Sequence, residues 1–494
     1  MQLSTMAASV TTSGNETICA ISTPHGVGGI AVVRVSGPRA LQTVSKIWKG
    51  ADLDKCLSHT AHLGTVNDTE GKPLDQAVAT LFKAPNSYTG EDVVELSVHG
   101  SVYIQQQLVE SLIAAGARLA EPGEFTRRAY LAGKLDLAQA ESVADVIASD
   151  SRAAHRIAIS QMRGKYSQRL NQLRGQLLDL TALLELELDF SEEDVEFADR
   201  RKLKNLAAEI YDEVQRLHDS FQAGTAIKTG IPVAIVGAVN AGKSSLLNAL
   251  VGDDRAIVSD VPGTTRDTVE ETIALGDYRF RFIDTAGLRH TDDTVEKIGI
   301  DRSYTALAKA RIVIVVIDAT TLPQNVPFNA SSQTSDCQQK IFDILPADLA
   351  KALKKANLSH IIIALNKTDL LTEPQSATPT PESATEANST ECISLSAISG
   401  QGLDQLRHSL IAAATLDARG ASEGLLVTNL RHAQALAAAR SPLARVIKGL
   451  QDELPADLIA IDLREALRHL SSITAEIPST EVLATIFSRF CIGK

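Results

Sequence analysis

One strand–loop–helix segment, residues 233–245, constrains the fold more than any other stretch of the chain. It opens with an apolar run whose β-branched residues Val233, Ile235 and Val236 predict a buried strand, and helix-forming leucines follow the loop. Between them, Gly237, Gly242, Lys243 and Ser244 have the spacing G-x-x-x-x-G-K-[ST]. Glycines let backbone N–H groups turn toward phosphate oxygens, and the helix N-terminus faces the same charge. A purely structural turn is the alternative, but the Lys-Ser pair in register favours a phosphate-binding loop.

A second motif, Asp284-Thr285-Ala286-Gly287, directly follows the alternating segment 278–283. In this position the acid would lie near magnesium and the Gly287 N–H near a γ-phosphate. Between the two motifs, Gly263-Thr264-Thr265-Arg266-Asp267 supplies a candidate magnesium-binding threonine on a switch loop.

Two further motifs concern the base. Asn366-Lys367-Thr368-Asp369 follows the apolar run 361–365. A carboxylate there can accept hydrogen bonds from guanine N1–H and from the exocyclic amine, which adenine cannot offer. Ser396-Ala397, after the run 393–395, fits a loop that closes on the base. Five motifs in this order predict a GTPase with guanine as its base.

Length and composition indicate a multidomain globular chain. At 494 residues, roughly three domains of about 150 residues each are expected. No apolar run approaches the ~18 residues of a spanning helix, and residues 1–15 carry no signal or transit pattern, so we expect a soluble cytoplasmic protein with no membrane association. The five scattered cysteines predict neither a disulfide framework nor a zinc site. A net charge of −12 argues against nonspecific coating of nucleic acid, so an RNA partner would need a local basic patch or a second subunit.

The N-terminal segment alternates short strands with turns, which predicts an α/β or α+β domain. The glycine cluster at 26–29 precedes a strand rather than a helix, which favours a turn over a dinucleotide site. Glu95 should alternate onto the face opposite Val94 and Leu96, where it is either exposed or directed at a ligand. The predicted strands are 18–21, 30–35, 77–82 and 93–98, and the predicted helices are 40–48 and 102–115.

Beyond residue 125 the pattern becomes helical. We predict long amphipathic helices at 135–149, 153–187 and 201–222, and helical spacing again from 429 to 490. Leu177, Leu180, Leu184 and Leu188 form an apolar stripe that we interpret as core. The acidic cluster at 191–196 is interpreted as a solvated helix junction, because such runs more often face water than metal.

The helical stretches flank the GTPase motifs, so the simplest packing makes one helical domain with a GTPase domain inserted in it. Residues 373–390 are rich in Ser, Thr, Pro and Glu and predict a disordered insert. At the C-terminus, the ending Cys491-Ile492-Gly493-Lys494 fits a prenylation signal poorly, and the apolar residues before it predict a docked end.

Several stretches outside the GTPase motifs are specific to one family. They are residues 28–37, 85–95, 122–129, 134–141 and 295–299, with the terminal Cys-Ile-Gly-Lys. On these the chain resembles the MnmE (TrmE) family of bacterial tRNA-modification GTPases over almost its whole length. The resemblance implies a multidomain α/β plus α fold. Its parts would be an N-terminal tetrahydrofolate-binding and dimerisation domain at 1–125, a helical domain at 126–227 and 416–494, and an inserted Ras-like P-loop GTPase domain at 228–415.

The resemblance also implies an activity and partners. The chain would hydrolyse GTP in a complex with the flavoprotein MnmG, as a homodimer within a heterotetramer, adding a carboxymethylaminomethyl or aminomethyl group to C5 of wobble uridine in certain tRNAs. 5-Formyltetrahydrofolate or a related reduced folate would meet Arg34, Glu95, Lys134 and Lys494. Val27 stands where the family often has arginine.

Motifs and resemblance together define the expected nucleotide site. Ser244 and Thr265 would hold Mg²⁺, and K⁺ would be held by Asn240, Ser259, Val261 and Thr264. The residues expected around GTP are Asn240, Ala241, Gly242, Lys243, Ser244, Ser245, Ser259, Asp260, Val261, Pro262, Gly263, Thr264, Thr265, Asp284, Thr285, Ala286, Gly287, Asn366, Lys367, Thr368, Asp369, Ser396 and Ala397.

Hydrolysis needs a group that orients the attacking water. Leu288, after the D-x-x-G motif, can neither donate nor accept a hydrogen bond, so another residue must do this. The resemblance points to Glu296, with Lys243 on the phosphates and Arg289 as a possible arginine finger. A regulatory GTPase switch in ribosome assembly, without modification chemistry, is the alternative. Such a protein would share the central motifs but would need neither a folate site nor the terminal Cys-Ile-Gly-Lys.

Overall fold

The computed structural model divides the chain into two compact units. One comprises Met1–Ala144, Gln161–Gly175 and Leu467–Lys494, and the other comprises Asp145–Ser160 and Gln176–Ala466. The predicted boundaries at 125/126, 227/228 and 415/416 stay a prediction. The structure describes residues 16–189, 200–252, 271–283, 309–322, 360–371, 390–419 and 425–474, with 307, 350, 351, 353, 483, 486–488, 490, 492 and 493.

The first unit is built on a seven-stranded sheet of order β3-β4-β5-β6-β2-β1-β7, antiparallel except for the parallel pair β1–β7. Inward residues such as Val33, Val35 and Leu96 alternate along the strands and share one core with helices α1 and α2. The strands are β1 Ile18–Ile21, β2 Gly28–Ser36, β3 Trp48–Lys49, β4 Thr60–Asn67, β5 Pro73–Phe82, β6 Val93–Gly100 and β7 Arg118–Leu119, and the helices are α1 Ala40–Ser45 and α2 Val102–Ala114.

The strand predictions are confirmed for β1, β2, β5 and β6. Strand β4 was missed, and the first predicted helix was too long. Helix α1 ends at Ser45 because Trp48 and Lys49 pair with β4.

The helices that follow are α3 Glu124–Leu131, α4 Leu137–Ala148, α5 Arg152–Met162, α6 Lys165–Asp189, α7 Arg200–Asp219 and α8 Phe221–Thr229. The single helix predicted over 153–187 is wrong, because Gly164 separates α5 from α6 with a φ of +83°. Gln139 supports this break, since its Nε2 donates to the Met162 carbonyl over 3.1 Å. Leu177, Leu180 and Leu184 are fully buried, as predicted for the stripe.

The second unit contains a six-stranded sheet of order β13-β12-β11-β8-β10-β9, parallel except for the β9–β10 hairpin. Strand β11 is apolar as far as Ile317, as expected where a sheet is buried on both faces: Ile314 and Val316 lie in one core and Val313 and Val315 in the other. The elements are β8 Ile231–Gly237, α9 Lys243–Gly252, β9 Glu271–Leu275, β10 Tyr278–Phe282, β11 Ile312–Asp318, β12 His360–Asn366, β13 Thr390–Ser394, α10 Leu403–Arg419 and α11 Leu430–Gln451. The last long helix, α12 Ala456–Thr474, begins in this unit, and its residues from Leu467 onward belong to the first unit.

The C-terminal end is docked within the first unit, as predicted. Phe487 is buried, and a Cβ at Gly123 would lie 2.7 Å from its carbonyl oxygen. The Ser22 hydroxyl donates to the Gly493 carbonyl over 3.2 Å. Cys491, Lys494, the Leu188 side chain, the acidic cluster at 191–196 and residues 373–389 of the predicted insert lie outside the described residues. Among the helices that are described, none has the length and apolar character needed to cross a bilayer.

A buried charge network ties α3 to β7 in the first unit. The Glu124 carboxylate is fully buried, and the Arg118 guanidinium donates to both its oxygens over 2.7 and 2.9 Å. Arg128 Nη2 and the Glu121 N–H each donate over 2.9 Å. Burial alone would raise the pKa of Glu124, but the hydrogen bonds from Arg118, Glu121 and Arg128 outweigh it and lower that pKa to about 2.

We predict that Glu124→Gln destabilises the fold by about 3–5 kcal/mol, because it leaves two guanidinium groups without their shared carboxylate. The folded-state pKa of Glu124 lies below its ordinary value of 4.5, so its contribution is complete above that pH and is lost as the pH falls toward 2. The stability difference between wild type and variant, measured by urea unfolding, should therefore shrink from pH 6 to pH 3. Glu121→Gln makes the same chemical change at an exposed carboxylate that pairs with Arg127, and should alter stability by less than about 1 kcal/mol. Equal effects of the two variants would contradict the prediction.

Candidate functional site

The polar motifs of the second unit meet at one edge of its sheet. Strands β8, β11, β12 and β13 are mutually parallel, so their carboxyl ends lie side by side. The glycine-rich loop follows β8, Asp318 ends β11, Asn366 ends β12, and Ser396 follows β13. The chain thereby gathers residues that are up to 160 positions apart into one crevice.

The loop between β8 and α9 has the backbone geometry that its glycines predict. Gly237 has a φ of +153°, and a Cβ there would lie 2.1 Å from the Val316 carbonyl oxygen, so only glycine allows β8 to approach β11 this closely. Asn240 has a φ of +64° and Gly242 a φ of +93°, after which α9 begins at Lys243. A turn with positive φ values before a helix N-terminus directs N–H groups toward a common point, which suits an anion.

Lys243 is the first residue of α9, and its side chain turns back onto this loop. Its ammonium donates to the carbonyl oxygens of Gly237 and Ala238 over 3.0 and 2.7 Å. Burial lowers the pKa of Lys243, because removal from water disfavours the charged form. A bound phosphate would oppose that shift by supplying the opposite charge.

Asn366 connects the base-recognition motif to the phosphate loop. Its Nδ2 donates to the Ala241 carbonyl over 2.9 Å, and its Oδ1 accepts from the Ala397 N–H at 3.0 Å. The side chain is 2% exposed. A Cβ at Gly242 would lie 2.1 Å from Asn366 Nδ2, so Gly242 is the residue type that leaves room for this contact. One buried amide thus fixes three loops of the crevice against one another.

The other residues of the base motif are arranged around Asn366. Lys367 has a φ of +66°, and its ammonium pairs with Asp318 Oδ2 at 2.6 Å. Asp369 is exposed in the middle of the short turn Thr368–Leu370. Ser396 is buried, and its hydroxyl accepts from the Ser399 N–H at 3.2 Å.

Asp318 was missed by the sequence reasoning. Its pKa is lowered, because hydrogen bonds from Lys367 and Thr320 outweigh the opposing effect of burial. The signal that could have found it is an acid placed directly after the apolar run 312–317, a strand that the motif search passed over.

Part of the predicted site lies outside the described residues. This applies to Ser259, Asp260, Val261, Pro262, Gly263, Thr264, Thr265, Asp284, Thr285, Ala286, Gly287, Arg289 and Glu296, and to Lys494 of the predicted folate site. Their assignments stay predictions.

The first unit holds the other predicted ligand residues. Glu95 does lie on the face opposite Val94 and Leu96, which are fully buried. Its Oε1 accepts a hydrogen bond from Nε of Arg34 at 2.9 Å and forms an ion pair with Nη2 at 2.8 Å, across neighbouring strands. Lys134 is exposed, and its aliphatic stem lies beside Gly90.

A parallel sheet with a glycine-rich loop at one strand end and an N-K-x-D segment at another defines a P-loop GTPase. Comparisons with known proteins find relatives that match this chain over almost its whole length. The family described as GTP-binding protein TrmE N-terminus matches residues 17–134, and the MnmE helical domain family matches 137–491. A protein of Parabacteroides distasonis named tRNA modification GTPase MnmE is 46% identical over 483 residues, covering 97% of this chain and 100% of that protein. A protein of the same name from Christiangramia forsetii is 44% identical over 486 residues, covering 97% and 99%. The chain belongs to the MnmE family.

We predict that Gly242→Ala weakens nucleotide binding by about tenfold or more. The added Cβ would displace Asn366, and a non-glycine residue at this φ is strained by about 1–3 kcal/mol. Titration with a fluorescent GTP analogue measures the affinity, and thermal unfolding reports whether the fold survives. Gly252→Ala is the matched control, because a Cβ there meets no atom within 4 Å. Unchanged affinity in the folded Gly242→Ala variant would contradict the role assigned to this contact.

Proposed function

We propose that this chain is a GTP hydrolase that acts in the modification of wobble uridine in certain tRNAs. The observation that carries the nucleotide part is the Asn366 amide, which joins the phosphate loop to the base-recognition loops. Membership of the MnmE family, whose relatives are named tRNA modification GTPases, supports the rest. A ribosome-assembly switch is less favoured, because family matches extend across the N-terminal and helical regions as well.

Guanine specificity follows from the acceptor that Asp369 provides. Its two carboxylate oxygens can accept from N1–H and from the exocyclic amine of guanine together. Adenine has no N1–H to donate, so it would leave the carboxylate partly unpaired, which costs affinity. The ion pair with Asp318 fixes the ammonium of Lys367, and the Lys367 side chain thereby helps to shape the same base pocket.

The residues present fit a magnesium nucleotide. The loop combines a helix N-terminus with the half-buried ammonium of Lys243, which suits the negative charge of phosphates. Ser244, in the first turn of α9, supplies one hydroxyl ligand for Mg²⁺, and Thr265 would supply the second. The bound ion would neutralise charge on the β- and γ-phosphates.

We further propose that hydrolysis depends on potassium and on Glu296. Asn240 lies in the phosphate loop with a φ of +64°, and its side chain is the expected ligand for K⁺ together with oxygens of Ser259, Val261 and Thr264. The ion would supply the positive charge that other GTPases take from an arginine finger. Glu296 would orient the attacking water, because Leu288 cannot, and Arg289 is the reserve candidate for a finger.

The expected kinetic result is faster turnover in potassium than in sodium for the wild type, with this preference lost in Asn240→Ala. Glu296→Ala should retain GTP affinity but lose turnover by about 100-fold or more, because its contribution belongs to the transition state. Turnover is measured as the rate of phosphate release, and GTP affinity is measured separately by nucleotide titration. Equal rates in the two salts would count against the potassium role, and a fully active Glu296→Ala would remove the water-orienting role.

We also propose a folate site in the first unit, an assembly with partners, and the chemical group that is added. A reduced folate such as 5-formyltetrahydrofolate would bind the first unit at Arg34, Glu95, Lys134 and Lys494. The chain would act as a homodimer and would assemble with the flavoprotein MnmG and tRNA. The added group would be carboxymethylaminomethyl or aminomethyl at C5 of the uridine.

Deletion of the gene should remove the C5-substituted wobble uridine from its tRNAs, as measured by mass spectrometry of tRNA nucleosides. Wild type and Gly252→Ala should restore the modified nucleoside, whereas Gly242→Ala should restore little, because nucleotide binding is impaired. Unchanged wobble uridines in the deletion strain would overturn the modification role and return the ribosome-assembly switch to consideration.

A further inference from the structure

Positive charge is concentrated around the start of helix α6. Residues 151–178 contain six lysines and arginines and no aspartate or glutamate, in a chain whose net charge is −12. Four of the six cations lie between residues 163 and 174, within the first unit. A local concentration of this kind is what an acidic protein needs if it is to hold an RNA.

The exposed positions of this segment share one chemistry. Tyr166, Leu170 and Leu173 are buried, so they fix which face of α6 is turned to solvent. Every exposed residue between 163 and 174 carries either a positive charge or a side-chain amide. These residues, which we call the cationic face, are Arg163, Lys165, Gln168, Asn171, Gln172 and Arg174.

The charges of the cationic face are not neutralised by the part of the chain that the structure describes. The side chains of Arg163, Lys165 and Arg174 make no ion pair or hydrogen bond with a described residue. Exposed cations elsewhere in the first unit are paired, as Lys72 is with Glu70 at 2.6 Å. Three cations of the cationic face therefore remain available to an anionic ligand.

The cationic face also has a fixed position and a useful length. Gln139 Nε2 donates to the Met162 carbonyl over 3.1 Å, which anchors the chain just before α6 begins. Lys165 and Arg174 are separated by about 14 Å along the helix axis, at 1.5 Å per residue. A nucleic-acid backbone presents several phosphates over that distance.

The composition of the cationic face favours RNA over a protein partner. The core of a protein interface is formed by aromatic and other apolar side chains, and none is exposed between residues 163 and 174. Cations and amides are the groups that contact phosphate and sugar oxygens of nucleic acids. Arg169 Nη1 donates to Gln172 Oε1 over 3.2 Å, so the N–H groups of this amide are the part left for a ligand.

We propose that the cationic face binds the phosphate backbone of tRNA. The inference rests on the proposed function, which makes tRNA the substrate, and it adds the surface that holds this substrate. Phosphate contacts fix the position of a nucleic acid without reading its sequence. The cationic face therefore holds the tRNA and does not select among tRNAs.

The test is fluorescence anisotropy of a labelled tRNA transcript with a wobble uridine, titrated with the full chain at several KCl concentrations. The neutralised variant combines Arg163→Gln, Lys165→Gln and Arg174→Gln. The matched control removes the same number of positive charges from exposed cations that already pair with an acid, namely Lys55→Gln, Lys72→Gln and Arg464→Gln.

We expect the neutralised variant to bind tRNA about tenfold or more weakly at 0.1 M salt. The slope of log affinity against log salt should become shallower by about two to three, because three phosphate contacts no longer release counterions. The control should keep the wild-type slope. Arg163→Lys combined with Arg174→Lys should also keep it, because the charge is retained. GTP affinity and turnover without tRNA should be the same in all variants, which shows that they are folded.

Several results would overturn the inference. Equal losses in the neutralised variant and the control would mean that only net charge matters. Unchanged tRNA affinity in the neutralised variant, with loss of a co-purifying protein, would assign the cationic face to an acidic protein surface. A wild type that does not bind the transcript would also remove the surface. The proposed function is tested separately, since only unchanged wobble uridines in the deletion strain would overturn it.

Discussion

The nucleotide crevice depends on one buried side-chain amide. Asn366 uses both its donor and its acceptor, one toward the phosphate loop at Ala241 and one toward the base loop at Ala397. A buried amide left unpaired would cost about 1–3 kcal/mol, so each loop stabilises the position of the other. Gly242 is part of the same arrangement, because any Cβ there would occupy the space of the amide. The phosphate and base subsites are consequently coupled before a ligand arrives.

Charges are used differently in the two units. In the crevice of the second unit, Lys243 is held by neutral carbonyl oxygens and has a lowered pKa, a state that an incoming phosphate would relieve. In the first unit, Glu124 is buried with its cationic partners already in place, which lowers its pKa and makes the group structural. The Arg34–Glu95 pair is intermediate: one carboxylate oxygen accepts a hydrogen bond from Arg34, and the other has no hydrogen bond to a described residue. The degree to which a charge is already paired therefore distinguishes structural groups from candidate ligand groups.

Local signals in the sequence predicted much of the secondary structure. Alternation placed Glu95 opposite Val94 and Leu96, and the glycine spacing predicted the loop between β8 and α9. The errors arose where long-range contacts decide. Helix α1 stops early because β4 pairs with residues 48 and 49, and the long predicted helix divides at Gly164, where Gln139 binds the preceding carbonyl. Strand β4 and Gln139 are both distant in sequence from the helix ends that they determine. The hydrophobic periodicity of the helical segments therefore gives no signal of these contacts.

The sequence by itself determined the class of the site, because residue type and spacing decide which groups can bind phosphate and guanine. It also indicated the family, through motifs distributed along almost the whole chain. Only the tertiary structure decided which groups are already committed to each other. Asp318 became part of the site through its ion pair with Lys367, and Arg34 and Glu95, both expected from the sequence, proved to be paired with each other. The physical reason is that a motif lists donors and acceptors, whereas their mutual distances, set by strand register and packing, determine which of them a ligand can still use.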